Sequence, residues 1–376
     1  MLRLIRSIIN EGFLKGGAIL KLLSKPDYTY SSQGMSLVEK IEIGGVQQSI
    51  LIQTGKLGSP VLLFIHGGPS MPVPGVSNRG SDYALVMTTK ELVKHFTLVF
   101  WDQRGTGKSY NKNIQPESMT LEQFISDAKD VTDYLRNRFH QKKIHLAAHS
   151  WGTIIGLNLI KKYPEKYLSY TGFSQIINWV ENDKLCYEWL LEEAEKKKDK
   201  KAISELKSLG LPPYNKSFKQ WSILRKWLFK YNSMFYQSGD IKSATFFSGL
   251  KIMLRSPDYN LIDIYNSLIR GFKLSYTDEL IKNLNSIDFF SDAPKLQVPV
   301  MFIHGMQEKH VFSELITRYY EMLDATKGKT LLWSNKSSHV FHMDDARENE
   351  QRMIMYLSEC NKGLREDRNE KGGSTD

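Results

Sequence analysis

Two cysteines, Cys186 and Cys360, are too few for a disulfide framework or a cysteine zinc site in a chain of 376 residues. They read as free thiols of a reducing compartment, which points to the cytoplasm. No apolar run is long enough and uncharged enough to span a bilayer. Zinc-ligand spacing, nucleic-acid motifs and internal repeats are all missing. The reading therefore calls for no metal, no cofactor and no nucleic-acid partner, and nothing in the pattern specifies an oligomer. The formal charge of +10 comes with acids interleaved among the lysines, as in "EEAEKKKDKKAISELK". That surplus reads as a solvated surface.

The N-terminus, "MLRLIRSIINEGFLKGGAILKLLSKP", also lacks something. Glu11, Lys15 and Lys21 interrupt any signal-peptide core, and no cleavage site is clear. Leu2, Ile5, Ile9 and Phe13 instead give a basic amphipathic helix. Residues 1–24 are suited to pack on protein or to make peripheral contact with a membrane surface.

What is present is an alternation. "SLVEKIEIGGVQQSILIQTG" reads as a hairpin turning at Gly44-Gly45. "PVLLFIHGG", "FTLVFWDQRG", "KIHLAAHS" and "YLSYTGFS" read as short strands. "SDYALVMTTKELVKHF", "MTLEQFISDAKDVTDYLRNRF" and "GTIIGLNLIKKYP" read as the helices between them. Thr120 caps the second helix, and Gln123 is placed to complete a capping box. Such alternation means an α/β protein with a largely parallel sheet. It stops at about residue 177 and resumes near 293 with "VPVMFIHG" and "KTLLWSN". The division is residues 1–30 as an amphipathic N-terminal segment, 31–176 and 293–361 as the α/β core, and 177–292 as a helical cap. Residues 362–376 form a polar tail expected to be disordered.

Chemistry gathers at the corners. "A-H-S-W-G" is a near match to G-x-S-x-G between a strand and a helix. That elbow lifts a serine hydroxyl above the sheet edge, and Ser150 is the candidate nucleophile. The Trp151 N–H, at the helix N-terminus, is a candidate oxyanion donor. A serine needs a base and an oriented acid, and in this architecture they follow in the order serine, acid, histidine. Glu308 lies just past the strand "VMFIHG", and His339 just past the next one. His342 and His310 rival the base, and Glu314 and Asp292 rival the acid. His342 lies further past its strand, and His310 follows the acid too closely. "FIHGGPSMP" supplies bare backbone, with Gly68 as the second oxyanion donor, Gly67 as its nearest rival, and a Gly68-Pro69 bond that is a candidate cis peptide.

"HGGP" at 66–69, "DQRGTGKS" at 102–109 and "HSWG" at 149–152 together resemble the proline iminopeptidase branch of the α/β-hydrolase fold superfamily. The resemblance covers roughly residues 36 to 360. It implies an α/β-hydrolase fold: a mostly parallel eight-stranded sheet with a helical cap inserted after the sixth strand. It implies a serine hydrolase that cleaves an aminoacyl substrate at an amino-terminal residue through an acyl-enzyme, without metal. Asp102 and Arg104 would hold their loop rather than react. Three departures stand out. Ser70 replaces a glycine, Glu308 replaces the usual aspartate, and no cap carboxylate aligns with those that bind the substrate amine. Glu181 is the candidate for that substrate-binding role, with Gly67 beside it, and Glu188, Glu192 and Glu193 are its rivals. An esterase or amidase for small apolar acyl groups is the alternative. A non-catalytic binding protein on the same scaffold ranks lower, because all three triad residue types are present. An epoxide hydrolase or dehalogenase needs a carboxylate where Ser150 stands. The expected partner is a small molecule or short peptide.

Overall fold

The computed structural model describes residues 25–30, 32–242 and 244–372. The amphipathic segment 1–24 lies outside them. Eight strands form one sheet: β1 Met35–Ile43, β2 Val46–Thr54, β3 Val61–Ile65, β4 Thr97–Asp102, β5 Ile144–His149, β6 Tyr167–Phe173, β7 Val300–Gly305 and β8 Lys329–Ser334. Their order is β1-β2-β4-β3-β5-β6-β7-β8. The β1–β2 and β2–β4 pairs are antiparallel and all later pairs are parallel. Gly44 and Gly45 both have positive φ, 55° and 74°, as the tight hairpin turn requires.

Side-chain alternation splits the core in two. Ile50, Ile52, Leu63, Ile65 and Val99 face one layer. Leu51, Leu62, Phe64, Leu98 and Phe100 face the other. The central strands are apolar on both faces because helices cover both sides. The first layer takes α1 Leu121–Arg138 and α2 Trp151–Lys162, and the second takes part of the last helix.

Between β6 and β7 lie the helices α3 Trp179–Lys196, α4 Lys200–Leu209, α5 Phe218–Lys230, α6 Phe246–Arg255 and α7 Asp278–Leu284. Leu190, Leu206, Tyr214, Trp221, Leu224 and Trp227 give α3, α4, α5 and the loops between them a core of their own. A π-helical segment, Asn266–Gly271, is flanked by helical turns Leu261–Tyr265 and Phe272–Ser275. α8 Ser313–Met322 and α9 Met343–Gly372 complete the core.

Three local expectations need correction. The stretch 81–96 is helical only at Leu92–His95. Ala84 through Met87 are consecutive buried residues, so no single helical face exists. Asp82 Oδ1 accepts the N–H groups of Thr89 and Lys90 and folds the chain into a turn. The capping box before α1 is half made. Thr120 accepts from the Gln123 N–H, but the Gln123 amide donates to the buried Asp127 carboxylate. The last helix runs to Gly372, into the tail expected to be disordered.

Candidate active site

Ser150 sits between β5 and α2 with φ 52° and ψ −121°. A serine rarely adopts that backbone, and the strain is typical of a functional corner. The turn holds because its neighbours are fixed. The Ser150 N–H donates to the Phe173 carbonyl at 3.0 Å. A side chain on Gly152 would collide with the carbonyls of Ile65 and His66, so α2 can start this close to β3 only with glycine there.

The structure brings Ser150, His339 and Glu308 together. His339 Nε2 is 2.9 Å from Ser150 Oγ, and Nδ1 is 3.1 Å from Glu308 Oε2. An ionised Glu308 can only accept, so Nδ1 carries the proton and Nε2 accepts from the serine hydroxyl. Burial lowers the His339 pKa to about 3, and the nearby His304 adds to the effect. The ring is therefore neutral at neutral pH, with Nε2 free to accept a hydrogen bond from the Ser150 hydroxyl. Glu308 also accepts from Ser174 Oγ at 2.8 Å and from the N–H groups of His310 and Val311 at 2.9 and 3.1 Å. All its donors are fixed, which sets where the carboxylate lies.

The rivals sit elsewhere. His342 Nδ1 faces Asp344. Glu314 lies in the first turn of α8, and Asp292 ends a short helix, Phe289–Asp292. His310 Nδ1 lies 3.0 Å from Ser233 Oγ, and its ring packs on His339 with centroids 4.7 Å apart. His149 packs on His339 at the same centroid spacing, and its Nε2–H donates to the His339 carbonyl at 3.0 Å. The sequence reading missed both contacts. The available signal was position: each lies within two residues of a triad candidate.

Across the cleft, a side chain on Gly67 would press on His149 Nδ1 and Ser150 Cβ at 3.2 and 3.3 Å. Bare backbone therefore lies against the serine. Gly68 has φ +124°, the Gly68-Pro69 peptide is cis, and the Gly68 carbonyl accepts from the Tyr276 hydroxyl at 2.6 Å. Gln103 of the DQRG loop braces this side. Its Nε2 donates to the His66 carbonyl at 2.8 Å, and its Oε1 accepts from the Trp151 indole at 3.0 Å. Asp102 accepts from the N–H groups of Val76 and Lys108 and from the Tyr259 hydroxyl, and burial lifts its pKa to about 7. Arg104 makes a two-pronged pair with Asp127 at 2.8 and 2.9 Å. Both side chains are tied up in holding loops.

Glu181 departs from expectation. It is partly exposed on α3 and pairs with Arg318 of α8. Two residues on, Asp183 is buried, with Oδ1 2.8 Å from Arg225 Nη1 and Oδ2 without a hydrogen-bond partner. The Arg225 guanidinium lies between the rings of Trp179 and Trp221, at 5.1 and 4.9 Å. Trp221 in turn stacks on Tyr276 at 4.8 Å. No helix among the described residues is long and apolar enough to cross a membrane, and no His, Cys, Asp or Glu cluster among them could hold a metal ion.

An elbow serine at a strand–helix turn of a parallel sheet, with acid and histidine after later strands, is the layout of α/β-hydrolases. Residues 60–353 match the family model described as alpha/beta hydrolase fold, and the chain belongs to that family. It is 30% identical over 315 residues to the "Probable aminopeptidase YbaC" of Bacillus subtilis (strain 168), covering 83% of this chain and 93% of that protein. A proline iminopeptidase of Mycobacterium smegmatis shares the fold with TM-score 0.53 at 12% identity, over 87% of this chain and 100% of that one. A membrane phospholipase A described as a bacterial virulence factor does so with TM-score 0.55 at 13% identity, over 96% of both chains. At such identities the structural likeness speaks to the fold alone.

Proposed function

We propose that this chain is a serine hydrolase that works through an acyl-enzyme, and that it is an aminopeptidase on short peptides or aminoacyl compounds. The observation that carries the hydrolase reading is the 2.9 Å contact of Ser150 Oγ with a buried, neutral His339 whose other nitrogen faces Glu308. Ser150 Oγ attacks the substrate carbonyl carbon as its proton passes to His339 Nε2. The backbone N–H groups of Gly68 and Trp151 receive the oxyanion, with Gly67 as the nearest alternative donor. His339 then gives the proton to the leaving amine as the C–N bond breaks. Water, deprotonated by His339, releases the acid.

The aminopeptidase reading draws on the relative at 30% identity and 93% coverage. A cap carboxylate for the substrate ammonium fits Asp183 better than Glu181, since Asp183 is buried while Glu181 is partly exposed and paired with Arg318. An esterase or amidase reading is favoured by one observation: Arg225 already sits on Asp183 among Trp179 and Trp221. A neutralised pair among indoles suits an apolar acyl group.

A prolyl arylamide, its N-acetylated form and a short-chain aryl ester separate the readings, with Ser150→Ala as background. Cleavage of the free-amine arylamide, lost on acetylation, is the expected result. Ester cleavage alone would remove the peptidase assignment and keep the hydrolase one.

A further inference from the structure

The cap does more than roof the site. Asn182, on cap helix α3, grips the loop that carries Glu308 from both sides of one turn. Its Nδ2 donates to the His310 carbonyl at 3.0 Å, and its Oδ1 accepts from the Phe312 N–H at 2.9 Å. One turn later, Cys186 Sγ reaches the same carbonyl at 3.5 Å. Past α5, the cap touches the other loop. The Ser233 carbonyl accepts from Ser338 Oγ, and the Met234 carbonyl accepts from the Val340 N–H, each at 3.0 Å. These two donors are the chain neighbours of His339. Ser233 Oγ also lies 3.0 Å from His310 Nδ1, and the His310 ring packs on His339.

We propose that Asn182 and Ser233 are positioning residues, through which the seated cap holds the acid loop and the histidine loop in register for Ser150. Neither reaches a reacting atom. The proposal rests on the Ser150–His339–Glu308 reading and adds the cap as a condition of it.

The physical argument is one of separation. Glu308 and His339 end different strands, β7 and β8, and each projects on a loop. The core ties the histidine loop through the His149 bond to the His339 carbonyl and the Phe341 N–H bond to the Leu85 carbonyl. It ties the acid loop through Ser174 Oγ to Glu308, and the Gln307 N–H joins the two loops at the Ser337 carbonyl at 2.9 Å. The cap supplies the bonds on the opposite side. Buried, satisfied hydrogen bonds of this kind limit how far each loop can drift. His339 between them is buried, 2% exposed. The groups that face its ring are Glu308, His149, His304 and His310, and Arg225 acts on His310. Loosening the clamp hydrates His339 and lets its pKa rise towards 6.5.

The test compares wild type, Asn182→Ala, Ser233→Ala, Ser233→Thr and Ser150→Ala in the full chain. The readouts are the rate of fluorophosphonate labelling and the pH profile of kcat/KM between pH 5 and 8, corrected for the folded fraction. We expect Asn182→Ala and Ser233→Ala to label and turn over about tenfold to a hundredfold more slowly. Their kcat/KM should fall between pH 7 and 5, where wild type stays level. Ser233→Thr, which keeps the hydroxyl, should recover most of the loss. Variants that merely fold less well would keep the wild-type rate and pH profile per folded molecule, and that result overturns the proposal. A wild type that labels no faster than Ser150→Ala overturns the nucleophile assignment, and the clamp with it.

Discussion

At Glu308 four donors converge on two oxygens. Glu308→Gln replaces one acceptor with an NH2 group that must face a donor, and it removes the charge that fixes the His339 tautomer. We expect kcat/KM to fall by on the order of 10²–10⁴ with the fold retained, measured with the substrate that wild type cleaves best. Glu308→Asp keeps the charge but withdraws it by a methylene, and should lose less. Ser150 and the backbone at Gly67 and Gly68 stood out in the sequence because an elbow and a glycine loop are local patterns. The ring contact of His310 with His339 was not legible there, because it depends on where two separate loops meet. Glu181 was chosen from a run of acids on one helix, a pattern that does not tell which of them faces inward, and its carboxylate pairs with Arg318.

At the level of elements, the hairpin turn, α1 and the DQRG loop are joined through one buried carboxylate. Asp127 takes both prongs of Arg104 and the amides of Gln48 and Gln123. Arg104 also donates to the Gly44 carbonyl at 2.9 Å. Asp127→Ala would strand an almost fully buried guanidinium, 2% exposed. The expected cost is about 3–5 kcal/mol, read as a lower urea midpoint with Ser150 chemistry intact in the folded fraction. The strand–helix alternation that built the sheet was plain from periodicity. The stretch 81–96 was not, because its bonds run to distant partners. The Leu85 carbonyl accepts from Phe341, and the Thr88 N–H donates to Ala346. Apolar content alone resembles a helix there, and tertiary bonds decide otherwise.

Across the whole molecule, burial keeps six histidines neutral: His66, His145, His149, His304, His310 and His339 all have lowered pKa values. Between about pH 4 and 6.5 the unfolded chain binds protons at these sites that the folded protein refuses. Stability contributed by them is therefore lost as pH falls below 6.5. Among the described residues, three buried carboxyls, Asp102, Asp183 and Glu350, have raised pKa values and act in the opposite sense. We expect the more numerous histidines to set the sign. Each net proton is worth about 1.4 kcal/mol per pH unit. The melting temperature should thus drop clearly from pH 7 to 5 and change little from pH 8 to 7, as followed by circular dichroism.

The order of the parts along the chain has a consequence for synthesis. Ser150 and its partner His339 are 189 residues apart, and β7 and β8 come after the whole cap. A growing chain completes the elbow long before His339 is added, so Ser150 waits without that histidine. The acid arrives next and the base last, when the cap that flanks both loops already exists. A nascent or prematurely ended chain that stops before residue 339 holds Ser150 without His339. On the triad reading, the serine stays without its base until both late strands have been made.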